Sequence, residues 1–388
     1  MEHNMTGKFD SIRHLNTQEL PAAIHEILND ERVAQAIGLY GFDITLDELK
    51  KQQFNTLYDF EKGALGRFLK YYSDRSTTEV VFSGLENIDP NKSYLYIANH
   101  RDIIMDSAYL QLYFFSNNIN SSKIAIGDNL VPDHLTLTLA KANKMFLVKR
   151  GGSIREKILN SRELSEYIHY GMTEEKESVW IAQRNGRTKN GIDLTQQGLL
   201  KMLTYYDDSR DVVDILQEMN ITPLTVSYEY EPCDKLKARE LALSEKEKYV
   251  KKPGEDFNSI CQGIFGFKGR VHLVIGKPLN DAIGKVDKNL RKNEKLTAIA
   301  QLIDQQIYAN YYLYPTNYIA YDYVENCQKF AEHYTEKQKE DFLQYIEKQS
   351  IIEDVGSEKM KMYLLNIYAN PVRTHFGGNI TLTEENDW

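Results

Sequence analysis

Cysteine is scarce in this chain: Cys233, Cys261 and Cys327 stand far apart and never as CxxC pairs. That spacing offers neither a disulfide framework nor a zinc site, and it suits a reducing compartment. Long apolar runs are missing too. The greasiest stretch, residues 103–115, is interrupted by Asp106, Ser107 and Gln111, and it falls short of the roughly 18 apolar residues that a membrane-crossing helix needs. The opening MEHNMTGKFDSIRHL lacks the apolar centre of a secretory signal. The expectation is a cytoplasmic protein, touching lipid only peripherally at the inner face of the cytoplasmic membrane. Positive charge is in deficit: a formal net charge of -9 argues against a nucleic-acid partner and against attraction of the whole molecule to anionic lipid. Any phosphate it holds must meet a local basic patch. No metal-ligand spacing is visible, no GxSxG nucleophile elbow supports a serine hydrolase, and no histidine-bearing motif surrounds a cysteine nucleophile.

What is present is an ordinary globular composition, 42% hydrophobic and 27% charged, over 388 residues. That length suits one large domain with an elaborated end. Up to about Thr77 the pattern is helical: Pro21 opens AAIHEILND, and Thr45 with Glu48 has capping-box spacing. From Glu79 short β-rich runs alternate with helical stretches: EVVF, SYLYIA, KIAI, MFLV, SVWIA, PLTVSYEY and RVHLVI. Residues 153–170 and 194–206 carry apolar residues at helical spacing. The alternation predicts an α/β fold, a layered mixed sheet of about seven strands flanked by helices, with helical N-terminal and C-terminal extensions. The expected divisions are residues 1–76, 77–285 and 286–388. The polar, glycine-containing tail from Phe376 to Trp388 reads as loosely held.

Chemistry concentrates where the strand Tyr94–Ala98 runs into Asn99-His100 and then a helix-like segment. A histidine on a strand-to-helix turn sits on rigid supports at a sheet edge, where α/β sheets bind ligands. Asp102 and Asp106 are both near enough in sequence to fix its tautomer and stabilise an imidazolium. The plainer reading is a surface histidine at a helix start, with Asp106 a favourable first-turn charge. Further on, Lys144, Lys149, Arg150, Arg155 and Lys157 form a basic run through Gly151-Gly152-Ser153, and Arg184, Arg187 and Lys189 cluster in a turn. Guanidinium groups and a helix start both suit a phosphate, although charged surface would look the same.

Four stretches stand in order: Asn99-His100-Arg101-Asp102-Ile103-Ile104-Met105-Asp106; Met145–Arg150; Val179–Arg187; and Ile221–Val226. They resemble the four motif blocks of the glycerol-3-phosphate and 1-acylglycerol-3-phosphate O-acyltransferase superfamily, across roughly a third of the chain. The resemblance implies His100 as general base with Asp106 as its partner and Asp102 as the rival partner. It implies substrate contacts by Asn99, Arg101, Arg150, Asn185, Gly186, Arg187 and Pro223, with Arg150 and Arg187 on the anionic head. It also implies an acyl thioester of coenzyme A or acyl carrier protein as donor, a glycerol phosphate or lysophospholipid as acceptor, and neither cofactor nor metal. Two departures stand out. Five residues separate His100 from Asp106 where the family has four, and Asn185 replaces the usual glutamate, with Arg187 one position early. They keep two alternatives open, another lipid hydroxyl as acceptor and a non-catalytic lipid- or carrier-binding protein. For lipid contact, the sequence offers residues 103–115, more suited to core, and the tyrosine-rich 307–324, more suited to packing on the main domain.

Overall fold

A computed structural model describes residues 7–245, 247 and 249–377; the segment 378–388 of the tail lies outside the described residues, as do the first six residues. Seven strands form one sheet: β1 (Thr77–Ser83), β2 (Leu95–Ala98), β3 (Lys123–Gly127), β4 (Met145–Val148), β5 (Val179–Ala182), β6 (Ile221–Tyr228) and β7 (Gly269–Ile275). Each coincides with one of the seven apolar runs. Their order is β1-β7-β6-β2-β5-β3-β4. β2 to β6 run parallel, and the antiparallel β6–β7 pairing reverses the last two strands of the sheet. The sheet is therefore mixed, and the C-terminal ends of β2, β3, β4, β5 and β6 share one edge.

The two-residue side-chain period of a strand divides the core. Leu95, Ile97, Val179 and Ile181 point to one face, where they meet Leu164 and Ile168 of the helix Ile154–Thr173, Leu199 and Leu203 of Gln197–Leu203, and Ile299 and Ile303 of Lys292–Ala309. Tyr96, Ala98, Trp180 and Leu224 point to the other and meet Met105, Tyr109 and Phe114 of the helix Met105–Ser116. Both faces are covered, as a largely parallel sheet requires.

Helical ends flank this core. In the N-terminal group the Thr45–Glu48 capping box is formed in both directions, and a cluster around Leu20, Ile27 and Phe60 packs on Leu135 and Ala142 of the helix His134–Ala142. The C-terminal group centres on Ser357–His375, whose Leu364, Leu365 and Tyr368 pack with Phe342 and Ile346 of Glu336–Ser350. The helical stretch read at 194–206 is shorter, starting only at Gln197, because residues 183–196 form a loop that wraps the sheet edge.

Candidate active site

β2 delivers Asn99 and His100 to the C-terminal edge of the sheet, and the chain bends through residues 101–104 before the 105–116 helix begins. His100 Nδ1 lies 3.0 Å from Asp106 Oδ2. That same oxygen accepts the backbone amides of Arg101 at 2.7 Å and Asp102 at 2.8 Å, and Oδ1 accepts the Tyr228 hydroxyl at 2.7 Å. Asp106 is thus fully buried and held by four donors, so the imidazole meets a fixed carboxylate. The fifth intervening residue is absorbed by the 101–104 bend. Asp102 has a different occupation: its Oδ1 accepts the amides of Ile104 at 2.9 Å and Met105 at 2.7 Å, which opens the helix.

The electrostatics favour the neutral ring. Burial pulls the His100 pKa below its ordinary value, Asp106 opposes that, and the charge of Arg187 reinforces it. A neutral imidazole whose Nδ1–H faces a carboxylate presents a lone pair on Nε2. The edge of the Trp180 ring closes one side, with centroids 6.2 Å apart.

The loop after β5 forms the other wall. Thr188 N donates to the His100 carbonyl at 2.8 Å, which places the preceding Arg187 beside the turn. Arg187 is buried, and its Nη1 has no hydrogen-bond partner. A buried guanidinium N–H without an acceptor is costly unless an anion from elsewhere supplies one. Gly186 adopts φ +73°, a left-handed conformation that suits glycine at this turn.

A cleft of about 1000 Å³ is lined by Lys149, Arg150, Lys157, Arg184 and Lys201 together with Asn185, while His100, Gly186 and Arg187 are not among the residues that line it. No aspartate or glutamate is among the described residues that line it. Its apolar lining includes Ile158, Leu164, Ile192 and Met202. The cleft lining therefore combines basic and apolar side chains. Arg150 sits at the end of β4 with its guanidinium against Gly127, where a Cβ would come within 2.6 Å of Nε. Asn185 is fixed by its own amide, which donates to Gln196 Oε1 at 2.6 Å.

Three of the sequence expectations meet a different placement. The Arg101 guanidinium, expected on substrate, is buried on Asp193, Glu231 and the Gly191 carbonyl, so its donors are committed within the protein. The Asn99 side chain bonds Asp193 and both backbone polar groups of Val226. Pro223 lies inside β6 opposite Ile97 and is absent from the cleft lining. The sequence reading missed Tyr228 and Asp193; Tyr228 was submerged in an apolar strand and Asp193 in an aperiodic loop. Neither lipid-contact candidate forms an exposed apolar face: most of residues 105–115 are buried, and Tyr311, Tyr314, Ile319 and Ala320 are buried in 307–324. No described helix is long and apolar enough to cross a membrane.

Against this geometry, residues 79–228 match the family model described as Acyltransferase. Over that span the chain is similar to acyltransferase domains. No curated protein matches it. Among solved structures, it is similar to the 1-acyl-sn-glycerophosphate (LPA) acyltransferase, PlsC, from Thermotoga maritima, with 14% identity, a TM-score of 0.35, and coverage of 74% of this chain and 95% of that one. The matched span holds the His100 turn, Arg150, Arg187 and Tyr228; Glu231, Lys237 and the whole C-terminal helical group lie beyond it.

Proposed function

We propose that this protein moves a fatty-acyl group from a thioester of acyl carrier protein or coenzyme A to the hydroxyl of a glycerol phosphate or lysophospholipid. The observation that carries this reading is the buried His100–Asp106 pair at 3.0 Å, close to the buried Arg187 guanidinium, whose Nη1 has no hydrogen-bond partner. In the reaction, His100 Nε2 takes the acceptor's hydroxyl proton as that oxygen bonds to the thioester carbonyl carbon. The tetrahedral adduct then collapses, the C–S bond breaks, and the imidazolium returns the proton to the departing thiolate. Asp106 holds the Nδ1–H tautomer and offsets the transient positive charge. Arg187 and the basic side chains of the cleft hold the anionic head, and the apolar side chains of the cleft receive chain atoms. No step needs a metal or a cofactor.

Asn185 supports a second acceptor class. It lines the cleft without the negative charge of the family's glutamate, so a differently substituted lipid hydroxyl also fits the same chemistry. The test is a donor-by-acceptor panel read by mass spectrometry of the products. Acylated glycerol phosphate or lysophospholipid is expected, with turnover beyond one equivalent. His100→Ala should lower the rate by about a hundred- to ten-thousand-fold, and an undiminished rate in that variant overturns the reading.

A further inference from the structure

The residues on either side of His100 are held by a single carboxylate oxygen. Asp193 Oδ2 accepts Asn99 Nδ2 at 3.1 Å, Arg101 Nε at 2.9 Å and Arg101 Nη2 at 2.7 Å. It also accepts the Tyr311 hydroxyl at 2.6 Å, and Tyr311 follows the 292–309 helix of the C-terminal region. The Asp193 side chain is fully buried. We propose that Asp193 is a positioning residue for the His100 turn, and that the C-terminal helical region is part of the active-site scaffold because it holds Asp193 in place. This rests on the reading of His100 as the base.

The scaffold argument has independent anchors. Tyr308 OH donates to the Asp193 carbonyl at 2.5 Å, and Asn370 Nδ2 donates to the Asn190 carbonyl at 2.7 Å. Asp304 Oδ1 accepts Thr195 N at 2.8 Å and Thr195 Oγ1 at 2.6 Å. The loop between β5 and the 197–203 helix is therefore tied at three of its residues to the helices 292–309 and 357–375. That loop also carries Asn185 and Arg187. None of these anchoring residues falls within residues 79–228.

Arg101 is gripped at both ends. Glu231 Oε2 takes its Nη1 at 3.0 Å, and Lys237 Nζ donates to its carbonyl at 2.6 Å and to Glu231 Oε1 at 2.6 Å. Two acids and two bases thus balance in a buried tetrad, and such groups fix geometry more than they add stability. The geometry fixed here is that of the Arg101 amide, one of the four donors that orient Asp106. The route from Tyr311 to the imidazole runs through Asp193, Arg101 and Asp106, and none of the first three touches a reacting atom.

The test uses the full-length protein with Tyr311→Phe, Asp193→Asn and each combined with His100→Ala. Tyr311→Phe removes one hydroxyl and keeps the ring, so it should fold. Its kcat should fall by about two- to tenfold, the scale of one hydrogen bond, with both KM values unchanged. The acid limb of its pH profile should move to lower pH, because a loosened Asp106 raises the imidazole less. In the His100→Ala background the same substitution should have no further effect on the residual rate. Asp193→Asn should show the same pattern more strongly; if it does not fold, Tyr311→Phe decides. A folded Tyr311→Phe protein with the wild-type kcat and pH limb overturns the proposal. So does an equal loss of rate with and without His100. Should His100→Ala itself leave the rate intact, the base assignment fails instead, and the two failures are told apart.

Discussion

At the scale of single residues, the balance around His100 sets the pH dependence of the proposed reaction. A base works only unprotonated, so activity is lost as pH falls through the pKa of the ring. Burial holds that pKa below its ordinary value, so the acid limb of kcat/KM should lie below about 6.5. Asp106→Asn removes the influence that raises it. The limb should then move further to acid while kcat drops, and a pH profile of both proteins at saturating donor checks this. A limb that moves to alkaline pH would contradict the assignment. The sequence alone placed the histidine on its turn, because an apolar strand ending in Asn-His can be read from order and composition. It could not choose between Asp102 and Asp106, since both lie within a few residues of the ring. The choice is made by the bend at 101–104, which aims one carboxylate at the ring and the other at the helix amides. The sequence also assigned Arg101 to substrate. Nothing local in it reveals that Asp193 and Glu231, about 90 and 130 residues away, occupy that guanidinium.

At the scale of elements, all seven strands were legible because each is a short apolar run between turn residues, and strands of a covered parallel sheet read that way. The 183–196 loop was not legible, because its conformation depends on the helix packed behind it. Gly191 shows the dependence: it adopts φ +80°, and a Cβ there would lie 2.2 Å from the Ile367 carbonyl oxygen of the 357–375 helix. Gly191→Ala should therefore cost at least about 1–3 kcal/mol of stability from backbone strain alone, seen as a lowered melting temperature. It should also lower kcat, since the Gly191 carbonyl is one of the acceptors of Arg101. An alanine variant with unchanged melting temperature would show that the loop and the helix can part freely. A second element-level prediction concerns Glu61, the first residue of the π-helical segment Glu61–Gly66 that joins the helices Leu57–Phe60 and Arg67–Ser76. Its carboxyl is buried, pushed up to about 7 by that burial, and bonded to Ser121 Oγ at 2.7 Å. The folded protein therefore holds a proton on it that the unfolded chain has released, and the associated stability fades as pH rises from the ordinary carboxyl value to about 7. Over that window the wild type should lose up to about 3 kcal/mol that Glu61→Gln does not lose. Urea midpoints of both proteins at about pH 5 and about pH 8 measure the difference.

At the scale of the whole molecule, charge is distributed against its own average. The chain carries a net -9, yet the cleft of about 1000 Å³ is lined by five basic residues and no acids among those described. Distant charges are screened within about 8–10 Å at physiological salt, so a ligand at the cleft mouth responds to these lysines and arginines more than to the net charge. An anionic substrate should consequently bind through a short-range, salt-sensitive attraction. Raising salt from low to moderate ionic strength should increase KM for the anionic substrates and leave kcat nearly unchanged. Lys157 and Lys201 lie on the cleft wall without belonging to the His100 turn, so the double variant Lys157→Glu, Lys201→Glu isolates this effect. It should raise KM by about tenfold or more, because each reversal removes an attraction and adds a repulsion of about the size of a surface ion pair, and it should flatten the salt dependence. Steady-state kinetics across a salt series distinguishes the outcomes: an unchanged KM in the double variant would place the anionic head at Arg187 alone, with the basic side chains of the cleft serving only the solubility of the fold.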